Sequence, residues 1–231
     1  MFFANINIMK SRFFGVNKIP FIEIKNSLGL KVIFTPAGAA IREIYFNDQK
    51  ITDNAEDDNS YLDTKIKYGK THSRYFKNNE VEIDGTKYQL VTKMTLNNYL
   101  YTSKPIFDKK YFLVQYTFKK KHMKDGLPGT VKYFITYVIK DDSNEIAIDY
   151  RALSDKKTAL DMSQILKFNF GGATKLINEK EIDGPGYKVR VEGDQHFEKN
   201  EIGEVKSLPN DNICPPNIIF KKKVIYYIEK R

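Results

Sequence analysis

The run from Thr130 to Phe170 confines this chain to antiparallel β-structure more tightly than any other stretch. Thr130–Ile139 is aromatic and β-branched, Asp141-Asp142-Ser143-Asn144 is a turn cluster, and Glu145–Leu153 alternates again, which predicts strand, turn, strand. Ser154–Lys157 makes a second turn. Ala159–Phe170 then splits by parity. Leu160, Met162, Gln164, Leu166, Phe168 and Phe170 fall on one face, and Asp161, Ser163, Ile165, Lys167 and Asn169 on the other. The apolar set needs a core; the mixed set faces a cleft or water.

The rest of the chain reads the same way. Pro20–Asn26 and Leu30–Thr35 alternate on either side of Ser27-Leu28-Gly29, an opening hairpin, and Pro36-Ala37-Gly38-Ala39 leads into Ala40–Phe46. Thr52–Thr64 is acidic and turn-rich, a solvated loop. Asp84-Gly85 between Val81-Glu82-Ile83 and Tyr88-Gln89-Leu90 is a strong hairpin signal, because a two-residue turn of this kind needs positive φ. Tyr111–Lys121 is a strand of alternating aromatics that ends in Lys119-Lys120-Lys121-His122. Gly69-Lys70-Thr71 imitates the end of a phosphate loop, but the opening glycine is missing and no helix pattern follows. The 231 residues are expected to form one all-β domain over 20–231, with an N-terminal extension or first strand over 1–19.

Thirty-eight basic residues against 29 acidic leave a formal charge of +9, which permits an anionic partner. Acids interspersed among the bases, no recognition motif and aromatics that alternate as core all argue against nucleic acid. The two triple-lysine runs, Lys119–Lys121 and Lys221–Lys223, would make a patch only if the fold brings them together, and steep salt dependence would be its mark. A single cysteine, Cys214, excludes an intramolecular disulfide and points to a reducing compartment, by default the cytoplasm. Met1–Phe14 is interrupted by Asn5, Asn7, Lys10 and Arg12, so neither a signal peptide nor a membrane association is expected. No histidines or cysteines stand at ligand spacing; no metal and no cofactor are expected.

Several stretches together resemble the aldose 1-epimerase (galactose mutarotase) family. They are Asp125-Gly126-Leu127-Pro128-Gly129, Glu145–Thr158, and Gln164–Gly171 in the place of the family's N-H-S-Y-F-N-L-A-G. Gly69–Leu90 is similar to its G-R-Y-A-N-R-I with a following L-D-G-x-x-Y-x-L, and Asn97–Tyr101 with Phe107–Lys110 to N-x-L-H-G-G and G-F-D-K-R. The resemblance implies an antiparallel β-sandwich of the galactose mutarotase-like (supersandwich) type, truncated near its C-terminal end. It places Ile165 at the catalytic histidine, Tyr101 at the first active-site histidine and Lys223 at the glutamate. Arg74 falls on the sugar-binding arginine, Ser73 on an asparagine and Asp211 on an aspartate.

Anomer interconversion needs a base for the anomeric hydroxyl and an acid for the ring oxygen, each within hydrogen-bond reach. Ile165 transfers no proton, and Tyr101 would need a strongly lowered pKa to act near neutrality. His72, two residues before Arg74 and on its face in an extended segment, is the one candidate substitute. The chain therefore reads as a mutarotase-like carbohydrate-binding protein, catalytically impaired or inactive. One alternative is an active epimerase rearranged around His72 or Tyr101. Another is an oligomer or scaffold in which a second chain covers the face around Pro215–Tyr227. The binding set is Arg74, Ser73, Lys167, Asp161 and Asp211, lined also by Ser163; Arg74, Lys167 and Lys223 around a sugar-sized hollow would favour an anionic sugar such as a phosphate or uronate.

Overall fold

Period-two alternation continues from element to element, and among the described residues the regular elements are almost all strands. The computed structural model describes residues 19–53, 68–72, 79–91, 96–108, 110–169, 181–193, 196–199, 204–208 and 213–231. In chain order the strands are β1 (Ile22–Lys25), β2 (Leu30–Thr35), β3 (Ala40–Phe46), β4 (Gln49–Lys50), β5 (Thr71–His72), β6 (Glu80–Ile83), β7 (Thr86–Gln89), β8 (Thr102–Phe107) and β9 (Tyr111–Lys120). Then come β10 (Val131–Lys140), β11 (Glu145–Ser154), β12 (Thr158–Ala159), β13 (Ser163–Lys167), β14 (Glu181–Gly184), β15 (Tyr187–Gly193), β16 (His196–Lys199), β17 (Glu204–Leu208), β18 (Ile213–Cys214) and β19 (Ile219–Lys230).

A seven-stranded sheet in the order β14-β15-β19-β11-β10-β9-β8 forms one layer. Two four-stranded sheets, β1-β2-β3-β4 and β16-β17-β13-β5, supply strands that pack on its inner face. Every pairing in these sheets is antiparallel. Val131 to Ile139 of β10 face Ser154 to Ile146 of β11 in unbroken register, as the turn at 141–144 demands. Parity then sends Val114 and Tyr116, Ile135 and Tyr137, Ile148 and Tyr150, and Val224 and Tyr226 inward, each at most 1% exposed. Each such burial contributes about 1.5–3 kcal/mol, so the inner face dominates stability. Phe34 of β2 packs on Tyr137 with ring centroids 4.8 Å apart, and Phe168, just beyond β13, on Tyr226 at 6.3 Å.

The turns are held by the residues that mark them. Asp84 (φ 51°) and Gly85 (φ 75°) close the β6–β7 hairpin in the left-handed region that such a turn requires. Asn26 at the end of β1 donates from Nδ2 to the Ser143 carbonyl at 2.9 Å, pinning the first hairpin to the β10–β11 turn. Gly126 (φ 88°) lies against β7, where a Cβ would collide with the Gln89 carbonyl. Beside it Asp125 forms a buried pair with Lys120, Nζ to Oδ1 2.6 Å, with side chains 8% and 1% exposed.

Two expectations are revised. Ala159–Phe170 is not one strand: β12 pairs with β18 and β13 with β17 and β5, so the chain changes hydrogen-bonding partners across 160–162 while its parity survives. In the segment around Pro215–Tyr227, β19 lies between β11 and β15, bonding to β11 from Ile219 to Tyr227 and to β15 from Val224 onward, so only its later part is closed on both sides. Most of the acidic loop, from residue 54, and all but the last residue of the 1–19 extension lie outside the described residues.

Candidate functional site

Strand β13 carries two faces with different tasks. Gln164, 1% exposed, turns inward and donates from Nε2 to the Gly69 carbonyl at 3.1 Å and the Ala39 carbonyl at 3.3 Å, and also to the Tyr137 hydroxyl. Tyr137 in turn donates to the Ala39 carbonyl at 2.5 Å, and burial raises its pKa above the ordinary tyrosine value. This node ties β13, β5, the start of β3 and β10 together, and a buried amide so engaged serves geometry, not ligand exchange. Ile165 and Lys167, on the opposite parity, are half-buried. The Lys167 ammonium lies 5.8 Å from the centre of the Tyr68 ring.

β5 runs beside β13 with Thr71 opposite Gln164 and His72 opposite Ser163. Cross-strand partners share a face, so His72 and Ser163 stand together on the face of Ile165. Both are buried, His72 at 3% and Ser163 at 7% exposed.

The charged centre lies where the chain enters β13. Asp161 Oδ1 accepts from Lys222 Nζ at 3.2 Å, and the two side chains are 3% and 6% exposed. Lys222 stands opposite Tyr150 in the register of β19 and β11. Burial pushes the Tyr150 and Tyr133 hydroxyls well above their usual range, and the nearby Asp161 carboxylate raises both further. The Lys222 ammonium also lies 5.4 Å from the Phe220 ring centre. The result is a buried ion pair in an aromatic recess.

The sequence candidates thus separate. Ser163, Ile165 and Lys167 lie on β13 and His72 on its neighbour β5, with Asp161 two residues before β13. Lys223 does not join them: it is exposed on the outer face of the seven-stranded sheet, opposite Asp149. Its neighbour Lys222 has the inward parity of Phe220, Val224 and Tyr226. Counting back in twos from the core tyrosine would have selected it. Tyr101 is buried in the core, 5.5 Å from the Phe118 ring, and its hydroxyl donates to the Leu96 carbonyl at 3.3 Å. Burial holds its proton well above the usual phenol range, the reverse of what an acid–base role near neutrality needs. Ser73, Arg74 and Asp211 lie outside the described residues. Among the described residues no three His, Cys, Asp or Glu gather as a metal site, and no helix is long and apolar enough to cross a membrane.

The sequence matches the aldose 1-epimerase family over residues 20–222. No curated protein matches it. Solved structures similar in fold include a galactose 1-epimerase from Lactobacillus acidophilus, 12% identical with TM-score 0.77, covering 94% of this chain and 96% of its own. An aldose epimerase homologue from C. elegans is 15% identical with TM-score 0.74, covering 92% and 99%. A galactose mutarotase-like protein from Clostridium acetobutylicum is 12% identical with TM-score 0.71, covering 93% and 96%.

Proposed function

Since this chain belongs to the aldose 1-epimerase family, we propose that it is a mutarotase-like carbohydrate-binding protein whose cleft has lost the acid–base pair of anomer interconversion. One observation carries the reading. Lys223, where the family resemblance puts the glutamate base, is a cation on the outer face of the seven-stranded sheet, and its inward neighbour Lys222 is engaged in a buried pair with Asp161, so neither offers a carboxylate base. Ile165 at the place of the acid supplies no proton, and Tyr101 is held in its neutral form by burial. Proton transfer at both oxygens of the sugar therefore lacks its groups.

Lys167, half-buried on the strand of Ile165, favours an anionic sugar, a phosphate or uronate, through a charge-assisted hydrogen bond. A cytoplasmic site of action belongs to the same reading, resting on the buried free thiol of Cys214. A second reading, a rearranged active epimerase, is favoured by the pairing of His72 with Ser163, which sets an imidazole on the face of Ile165. The optical rotation of freshly dissolved α-galactose and α-glucose tests both, combined with saturation-transfer NMR of galactose and galacturonate. Saturable binding without faster mutarotation supports the first. Saturable acceleration that His72→Gln abolishes establishes the second, and no binding of either sugar refutes both.

A further inference from the structure

The outer face of the seven-stranded sheet distributes its charge unevenly. Toward one end the charges are paired: Lys140 with Glu145 at 3.2 Å, Lys188 with Glu181 at 2.9 Å, and Arg190 with Glu192. Toward the other, three cross-strand rows concentrate cations. Lys119 stands opposite Lys132, Phe134 lies between Thr117 and Arg151, and Arg151 faces Lys221. In the third row Lys104 faces Gln115 and Asp149 faces Lys223. Lys104, Lys119, Lys132, Arg151, Lys221 and Lys223 are all exposed. Among the described residues of these rows, Asp149 is the single carboxylate, held by Arg151 at 2.6 Å.

Both triple-lysine runs feed this field because parity divides them. Lys120 and Lys222 turn inward to Asp125 and Asp161, while Lys119, Lys221 and Lys223 stay outside. From β8 to β19 the field spans four strand spacings, about 19 Å, and lysines two apart on one strand stand about 6.6 Å apart. Like charges directly opposite, as Lys119 and Lys132 are, repel each other; an anionic ligand relieves that repulsion. A hollow of about 340 Å³ opens at this end, lined by Lys119, Lys132, Phe134 and Leu100 among others. An aromatic ring flanked by two ammonium groups suits a base stacked beside its phosphate. Among the described residues no helix longer than the three residues Leu96–Asn98 is available to enter a duplex groove, which favours a single strand.

We propose that this face binds single-stranded nucleic acid, with the phosphates on the lysine rows and a base stacked on Phe134. The rows share no residue with β13 and β5, which belong to a different sheet.

Fluorescence anisotropy of the full chain with a labelled oligothymidylate of about 12 nucleotides, within the usual site sizes, tests the proposal. With about five phosphates engaged, log K should fall against log salt with a slope of about −3.5. Each contact contributes about 5-fold at ~0.1 M salt, so Lys132→Glu with Lys221→Glu should weaken binding by about 25-fold or more. Phe134→Ala should cost at least about 5-fold through lost stacking. Lys230→Glu, a single charge reversal beyond a Debye length from the rows, should stay within about 2-fold. A flat salt response of the unaltered chain overturns the proposal without any variant needing to fold. So does unchanged binding by the folded double variant, or equal affinity for a polyglutamate peptide or a duplex.

Discussion

Replacing Lys222 by methionine would test whether the Asp161–Lys222 pair is a sealed element of the core or the wall of an open cleft. The two side chains are 6% and 3% exposed and 3.2 Å apart, so removing the cation strands a carboxylate beside the raised Tyr133 and Tyr150 hydroxyls. Removing one partner of a buried pair costs about 3–5 kcal/mol, whereas an exposed pair contributes about 0–1 kcal/mol. For a chain of this size each kcal/mol moves Tm by about 2–4 °C, so a fall of about 6–20 °C is expected. Lys222→Met with Asp161→Asn removes both charges and should recover most of the loss, giving a large coupling energy in the double-mutant cycle. Lowering the pH protonates the stranded carboxylate, so the single variant should regain stability relative to wild type toward pH 5. Urea unfolding at pH 8 and pH 5 reads all three effects. A single-variant cost below about 1 kcal/mol at pH 8 would show that water solvates Asp161 and would refute the buried-pair argument.

Three further perturbations bear on the scaffold. Gln164→Leu should cost about 2–4 kcal/mol by urea unfolding, because the Gly69 and Ala39 carbonyls and the Tyr137 hydroxyl lose a shared buried donor; a loss under 1 kcal/mol would mean that water replaces the amide. Gly126→Ala should destabilise by more than the roughly 1 kcal/mol of a simple helix-type glycine effect, since φ is 88° and the Gln89 carbonyl blocks a Cβ; a thermal melt within 1–2 °C of wild type would contradict this. Asp155 accepts from the Thr130 amide at 2.6 Å, and that hydrogen bond holds its carboxyl below the usual aspartate value. Its stabilising contribution should be full above about pH 4 and fade as pH falls through the depressed folded pKa. Acid unfolding curves of wild type and Asp155→Ala should therefore converge at low pH; parallel curves would refute the assignment.

Much of the fold was legible because its signals are local. A turn cluster between two alternating runs yields the β10–β11 hairpin, Asp84-Gly85 closes β6–β7, and parity along 159–170 correctly separates Gln164, Leu166 and Phe168 from Ile165 and Lys167. Parity also sets Lys222 inward and Lys223, where the resemblance places the family's glutamate, outward, because successive residues of a strand face opposite sides. Tyr101 kept its place in the chain order yet lies in the core, because whether a strand end meets solvent depends on what packs over it, here the ring of Phe118.

The order of residues alone settles that the chain is all-β and which residues of each strand share a face, while the resemblance proposes which side chains stand at the family's acid–base positions. These properties repeat every two residues or sit at single positions, and need no knowledge of neighbours. Folding adds that β19 lies between β11 and β15, that Asp161 meets Lys222, and that the outer lysines of two distant runs share one face with Lys132 and Arg151. Strand order joins residues far apart in the chain, and the charge of a sheet face is a sum across strands; no window along one strand contains it.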